Sequence, residues 1–162
     1  MNERPCIAFA CAHLCDERLF AAQIAALKAR HDCRVFVFRE HDSLAAMAEA
    51  LLATTTARFT LVGLSLGGYV AFEVLRRAPE RVAGLVCFGY PLVSGSSGAL
   101  RDEVLVALRT PILFVQGTHD TLCPLPKLED VRARMTAPNW LYSVQDANHS
   151  LELPGVKRTA DL

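Results

Sequence analysis

The sequence predicts an α/β protein: a three-layer α/β/α sandwich with a six-stranded parallel sheet, in one domain spanning 1–162. Six short runs rich in β-branched and apolar residues alternate with segments of helical periodicity, a pattern typical of parallel sheets with crossover helices. The runs are apolar throughout, which indicates strands buried on both faces. The length of 162 residues and the hydrophobic content of 52% suffice for one folded core.

The expected elements follow the chain in order. The strands are CIAFA (6–10), RVFVF (34–38), FTLVGL (59–64), VAGLVCF (82–88), PILFVQG (111–117) and WLYSV (140–144). Asp16 is placed to cap the first helix and Ser43 the second. The third helix follows Gly67 and ends before Pro79, because proline disfavours helix at the residue before it. The stretch VSGSSGAL (93–100) has the composition of a surface loop.

Charge and cysteine content exclude several classes of partner. Lys+Arg and Asp+Glu each number 17, so no excess of positive charge is available for nucleic acid or an anionic membrane. No apolar run approaches the ~18 residues that cross a bilayer. The start, MNERPCIAFA, lacks the features of a signal peptide, so a cytoplasmic location is expected. The six cysteines contain no CxxC pair, which favours reduced thiols over zinc or redox chemistry.

The stretch FTLVGLSLGGYVAFEVLRR (59–77) places a serine among three glycines, between a strand-like and a helix-like run. Its segment GLSLG fits G-x-S-x-G, in which a sharp strand-to-helix turn exposes the serine hydroxyl. Small residues two positions either side of the serine are needed because larger side chains would collide. We therefore expect Ser65 to be a nucleophile rather than part of an inert turn.

A serine hydroxyl is a weak nucleophile and needs a base that is oriented by an acid. Asp120 follows the fifth strand in GTHDTLCP, and His149 follows the sixth in QDANHS, giving the chain order Ser, Asp, His. Asp146 is a rival acid, although its place in the histidine's own loop suggests that it shapes that turn. His119 is a rival base, although it adjoins Asp120 and is expected to point away from it.

With these residues the chain resembles the α/β-hydrolase superfamily over nearly its whole length. The resemblance is carried by GLSLGGYVAFEVLRRAPERV (63–82), LRTPILFVQGTHDTLCP (108–124) and DANHS (146–150). AHLCDERLF (12–20) is similar to small hydrolases that begin G-L-L-C-D-x-R-L-W. The back half is more similar to cap-less, dienelactone-hydrolase-like proteins, including testis-expressed relatives. This mosaic does not identify a substrate.

The resemblance implies the strand order 2-1-3-4-5-6 and a site where the winding reverses, between the first and third strands. It implies an oxyanion hole made by the backbone N–H groups of Leu66 and His13. Relatives carry His-Gly or Pro-Gly where this chain has Cys11-Ala12. If that position needs a positive φ, alanine there strains the loop by about 1 kcal/mol. The His13 side chain either enters the cleft or is an exposed loop histidine.

Caps of this superfamily usually enter after the superfamily's sixth strand, and here the segment between CFGY and TPILF, about 20 residues, is too short for a lid. The resemblance therefore implies an open, shallow site. Candidate pocket residues are Ala12 and Leu14 in the first loop, and Tyr90 and Leu92 after the fourth strand. For Tyr90 and Leu92, the sequence supports a role in core packing equally well.

The tail SLELPGVKRTADL (150–162) contains Pro154 and Gly155, which would break the closing helix found in relatives. Either a sheet edge is left bare or a second copy covers it, which favours a homodimer. The near-zero net charge permits such association.

The function that the resemblance implies is a serine hydrolase that cleaves carboxylic ester or thioester bonds of a small-molecule substrate. It needs neither a cofactor nor a metal. Two alternatives remain: a catalytically weak hydrolase fold used for ligand binding or as an assembly subunit, and an enzyme that transfers the acyl group to an acceptor other than water.

Overall fold

A computed structural model describes residues 4–55 and 58–155. Its centre is one sheet of six strands, all pairing in parallel in the order β2-β1-β3-β4-β5-β6. The strands are β1 Cys6–Ala10, β2 Asp32–Phe36, β3 Phe59–Leu64, β4 Val82–Phe88, β5 Ile112–Gly117 and β6 Asn139–Val144. The predicted fold class and strand order are confirmed.

Helices connect the strands. They are α1 Ala21–Leu27, α2 Leu44–Thr54, α3 Leu66–Arg77, α4 Glu103–Val106 and α5 Leu125–Arg134, with short 3-10 helices at Glu17–Phe20 and Pro79–Arg81. Both predicted caps are present: the Asp16 carboxylate accepts the backbone N–H of Arg18 at 3.0 Å, and Ser43 Oγ accepts that of Ala46 at 3.2 Å. The first predicted helix is divided, because Asp16 caps a 3-10 turn that precedes α1.

Two apolar clusters hold the layers together, one on each face of the sheet. Alternate β1 residues point to opposite faces, so Ala8 joins the larger cluster and Phe9 the smaller. The larger cluster packs α2, α3, α4 and α5 against the sheet. The smaller packs α1 and the preceding 3-10 helix against β1 and β3. On the face of the smaller cluster, Trp140 and Tyr142 of β6 are 56% and 65% exposed.

The second strand is displaced from its predicted position: it spans Asp32–Phe36, whereas the sequence indicated 34–38. The partner strand sets these limits, because Cys6 pairs with Asp32 and Ala10 with Phe36. Beyond that point Cys11 N–H donates to the Phe36 carbonyl at 3.0 Å and the ladder ends.

The segment between β4 and β5 contains one helix, the four-residue α4, so this connection holds no cap domain. Val93 and Leu100 form an isolated bridge that closes the predicted loop 93–100. Pro154 and Gly155 lie in a turn, and residues 156–162 of the predicted tail lie outside the described residues. Within the described ranges no helix has the length and apolar character to span a membrane.

The winding of the chain reverses at β1, which lies between β2 and β3. Ala10 at the end of β1 pairs with Gly63, two residues before Ser65. The loops that leave the carboxyl ends of β1 and β3 therefore meet at one edge, where open α/β sheets bind ligands.

Candidate active site

Ser65 lies at the turn from β3 into α3, and its backbone is in a rarely populated conformation with φ 50° and ψ −107°. A Cβ at Gly67 would collide with the carbonyl of Ala10, and a Cβ at Gly63 would collide with the backbone of Gly67. Ser65 N–H donates to the Phe88 carbonyl at 3.2 Å, which ties the turn to β4. The glycines permit the close strand–helix packing that this conformation requires.

His149 connects Ser65 to Asp120 through both ring nitrogens. Its Nε2 lies 3.1 Å from Ser65 Oγ, and its Nδ1 lies 2.8 Å from Asp120 Oδ2. Because an ionised carboxylate only accepts, Nδ1 carries the proton and Nε2 is free to accept the serine hydroxyl. The three residues follow β3, β5 and β6, whose carboxyl ends lie at one edge of the sheet. This arrangement can remove a proton from Oγ and hold the resulting imidazolium beside a carboxylate.

Asp120 is buried, and its two oxygens accept hydrogen bonds from different directions. Oδ1 accepts the Leu122 N–H at 2.8 Å, while Oδ2 accepts both His149 Nδ1 and the side-chain amide of Gln116. The Asp120 side chain is 0% exposed, whereas that of His149 is 23% exposed. A buried carboxylate is tolerated when its lone pairs are satisfied in this way.

The loop that carries His149 passes very close to the end of β4. Gly89 has φ +53°, and a Cβ there would overlap the carbonyl oxygen of His149. Its N–H donates to the Val115 carbonyl at 3.0 Å, which fixes its own position. Glycine at 89 is therefore required for both its backbone conformation and this close approach.

A cavity of about 380 Å³ lies beside the serine turn, over the carboxyl ends of β1 and β2. Leu66, the residue after Ser65, forms one side of it, and the loop after β1 forms another. The full lining is Ala12, His13, Leu14, Cys15, Asp16, Val37, Phe38, Arg39 and Leu66. The contribution of 37–39 was missed by sequence reasoning, although a strand order that places β2 beside β1 could have indicated it.

The loop after β1 adopts a turn in which Cys15 N–H donates to the Ala12 carbonyl at 3.2 Å. Its positive φ, 59°, is at Leu14 and not at Ala12. The strain that a positive φ would impose on Ala12 therefore does not arise. Leu14 is 93% exposed at the mouth of the cavity, and His13 is exposed beside it.

Tyr90 and Leu92, the other two pocket candidates, lie elsewhere. They are 1% and 0% exposed and belong to the larger core cluster, and neither lines the cavity. Tyr90 Oη donates to the Arg101 carbonyl at 3.2 Å, and its ring packs edge-on against Phe72. Their assignment to an acyl pocket is corrected: the chain after β4 turns inward, so the packing alternative describes both.

The rival acid and base face each other at the surface. The His119 and Asp146 side chains are 63% and 52% exposed, with Nε2 and Oδ1 3.8 Å apart. Asp146 has φ 60°, and its N–H donates to Thr118 Oγ1 at 2.8 Å, so it shapes the turn as expected. It is His149, and not His119, whose ring nitrogen lies within hydrogen-bonding distance of Ser65 Oγ, at 3.1 Å.

Burial keeps two thiols near the site, those of Cys11 and Cys123, in the protonated form. Burial raises the pKa of the Cys11 thiol to about 11, with the nearby Cys15 and Asp16 adding to the shift. Burial, reinforced by the charge of Asp120, raises the pKa of Cys123 to about 12. Neither residue supplies a thiolate at neutral pH, so neither thiol competes with Ser65 as a nucleophile. In the described part of the chain, no group of three or more His, Cys, Asp or Glu side chains is arranged to hold a metal ion.

A parallel sheet in this order, with a serine at a tight strand–helix turn, defines the class of α/β-hydrolase-fold proteins. The sequence profile of the family described as "Alpha/beta hydrolase domain" matches residues 28–160, and the chain belongs to this family.

Solved structures of the same fold are similar to this chain at low identity. An alpha/beta hydrolase enzyme, MGS-MChE2, from a sediment metagenome of the Mar Chica lagoon, Morocco, has a TM-score of 0.76 at 17% identity, covering 91% of this chain and 83% of that one. Carboxylesterase CesB from Bacillus subtilis has a TM-score of 0.70 at 16% identity over 96% and 80%. The enol-lactonase from Burkholderia xenovorans has a TM-score of 0.74 at 15% identity over 91% and 85%. These likenesses show the fold.

Proposed function

We propose that this protein is a serine hydrolase that cleaves carboxylic ester or thioester bonds of small molecules. The observation that carries the proposal is the hydrogen-bonded chain Ser65–His149–Asp120, with separations of 3.1 Å and 2.8 Å. Ser65 is the nucleophile, His149 the general base and then the general acid, and Asp120 the carboxylate that orients the imidazole.

The reaction proceeds in two halves. Ser65 Oγ attacks the acyl carbon as its proton passes to His149 Nε2, and the carbonyl oxygen takes up negative charge. The tetrahedral intermediate collapses, His149 returns the proton to the leaving alcohol or thiol, and the acyl group stays on Ser65. Water then attacks the acyl-enzyme with His149 again as base, which releases the acid and restores the serine.

The backbone N–H groups of Leu66 and His13 are the proposed donors to the oxyanion. Leu66 is the first residue of α3, so its N–H has no acceptor within the helix and lies at the positive end of the helix dipole. Leu66, at the start of α3, and His13, in the loop after β1, both line the 380 Å³ cavity. Removing one such donor typically lowers kcat about 100-fold or more.

The proposed substrates have a small acyl group. The cavity beside Leu66 contains apolar side chains, including Val37 and Phe38, with the exposed Arg39 also among its lining residues. With only α4 between β4 and β5, substrate would enter directly from solvent. Carboxylesterase CesB and the enol-lactonase, named above, act on acyl–oxygen bonds according to their names, which supports this substrate class.

The test is hydrolysis of p-nitrophenyl acetate and p-nitrophenyl butyrate. Ser65→Ala is expected to lower kcat by about 10³-fold or more. Ser143→Ala, which removes an exposed hydroxyl from β6, is the matched control and is expected to behave as wild type. Equal rates for wild type and Ser65→Ala would refute the proposal.

The homodimer and the cytoplasmic location stay predictions. Light scattering at micromolar concentration tests the first: a monomer mass of 17.7 kDa would count against a dimer.

A further inference from the structure

Gln116 is a fully buried polar residue that the proposed mechanism has not used. It lies next to the last residue of β5 and is 0% exposed. By strand alternation it shares a face with Ile112 and Phe114, which belong to the larger core cluster. A primary amide in such surroundings is destabilising unless both its oxygen and its nitrogen are hydrogen-bonded.

Both ends of the Gln116 amide have partners of opposite kind. Its Oε1 accepts the backbone N–H of Tyr90 at 3.1 Å, and its Nε2 donates to Asp120 Oδ2. A backbone N–H only donates and a carboxylate only accepts, so the amide has one satisfactory orientation. The amide thus joins the end of β4 to the carboxylate that follows β5.

We propose that Gln116 is a positioning residue for the ester hydrolysis described above, and this inference rests on that proposed function. Leu122 N–H holds Asp120 Oδ1, and Gln116 Nε2 holds Oδ2. Donors on both oxygens stop the carboxylate from rotating about its Cβ–Cγ bond. Oδ2 therefore stays aimed at His149 Nδ1, and the imidazole stays in the tautomer that accepts the serine proton.

The variant Gln116→Met removes the amide while keeping the length and nearly the volume of the side chain. It is expected to lower kcat by about 10- to 100-fold, because the carboxylate and imidazole lose their orientation, and to leave KM unchanged. The matched control is Gln145→Met. Gln145 is exposed and donates to the neighbouring Asp146 at 2.7 Å, so this variant should retain wild-type kcat.

A double-mutant cycle separates positioning from a merely structural role. If Gln116 acts through Asp120, Gln116→Met should lower kcat in the wild-type background and have little further effect in an Asp120→Asn background. An equal loss in both backgrounds would overturn the inference, and so would a wild-type kcat for Gln116→Met.

Two further measurements keep the test decisive. If Gln116→Met does not fold, Gln116→Leu replaces it, because this apolar side chain also removes the donor to Asp120 Oδ2; a wild-type kcat for this variant would overturn the inference. Wild-type turnover equal to that of Ser65→Ala refutes the proposed function itself. Loss of activity in Ser65→Ala with full activity in both Gln116 variants refutes only the role of Gln116.

Discussion

Because Gly89 lies very close to the loop that carries His149, a substitution at Gly89 should displace His149 without changing any side chain of the proposed triad. In Gly89→Ala the new Cβ overlaps the carbonyl oxygen of His149, whose backbone has to withdraw by on the order of 1 Å to restore a normal non-bonded separation. A misplacement of about 1 Å in a reacting group lowers rates by about 100-fold. We expect kcat for p-nitrophenyl acetate to fall by about that factor.

The chain offers a matched control for this change. Gly98 also has a positive φ, +68° against +53° for Gly89, but a Cβ at 98 meets no atom within 4 Å. Backbone strain should lower the unfolding free energy of Gly98→Ala by about 1 kcal/mol and its melting temperature by about 3 °C, and Gly89→Ala should lose at least as much. Only Gly89→Ala carries the additional clash, so only it should lose activity. A wild-type kcat for Gly89→Ala, or an equal loss in Gly98→Ala, would refute this reasoning.

Three further predictions concern stability. Hydrogen bonds from Arg76 and Arg77 lower the pKa of Glu73 from 4.5 to about 2, so its ionised form stabilises the fold above pH 4.5 and this contribution is lost as the pH falls from 4.5 towards 2. Glu73→Gln should therefore lower the unfolding free energy by about 1 kcal/mol at pH 7, and urea titrations should show the difference shrinking below pH 4.5. Ser43→Ala removes the α2 cap and should lower the melting temperature by about 3 °C, measured by circular dichroism. Tyr90→Phe removes the hydrogen bond from Tyr90 Oη to the Arg101 carbonyl, 3.2 Å away, and should lower the unfolding free energy by about 1 kcal/mol. KM should be unchanged; a raised KM would indicate that Tyr90 contacts the substrate.

The architecture was predictable because its signals are local and repeated. Short runs that are apolar throughout predict buried parallel strands, and the six predicted runs correspond to the six observed strands. The approximate placement of Ser65, Asp120 and His149 followed from the same pattern, since each comes after a strand and the carboxyl ends of parallel strands share an edge. Their separations of about 3 Å could not be read from the pattern.

The errors arose where a partner segment overrides local composition. Val37 and Phe38 are as apolar as the strand before them, but they lie outside β2 because β1 has ended at Ala10. They line the cavity instead. Likewise the positive φ of the first loop is at Leu14, a position that only the hydrogen bond closing the turn reveals.

For two residues, the sequence did not indicate the direction in which the side chain points. Tyr90 follows a strand, as active-site residues often do, but the chain bends inward there and buries it in the core. The sequence interpretation assigned no role to Gln116. It is a polar residue on the same face of β5 as Ile112 and Phe114, and a polar residue on a buried face indicates a buried hydrogen bond.

The central claim is that His149 activates Ser65 as a nucleophile. Incubation of the folded protein with a fluorophosphonate, followed by intact-mass measurement and peptide mapping, tests it most directly. We expect one adduct on Ser65, none on the exposed Ser143, and a labelling rate about 100-fold or more lower in His149→Ala. Folded wild-type protein that stays unlabelled, or equal labelling of wild type and His149→Ala, would contradict the claim.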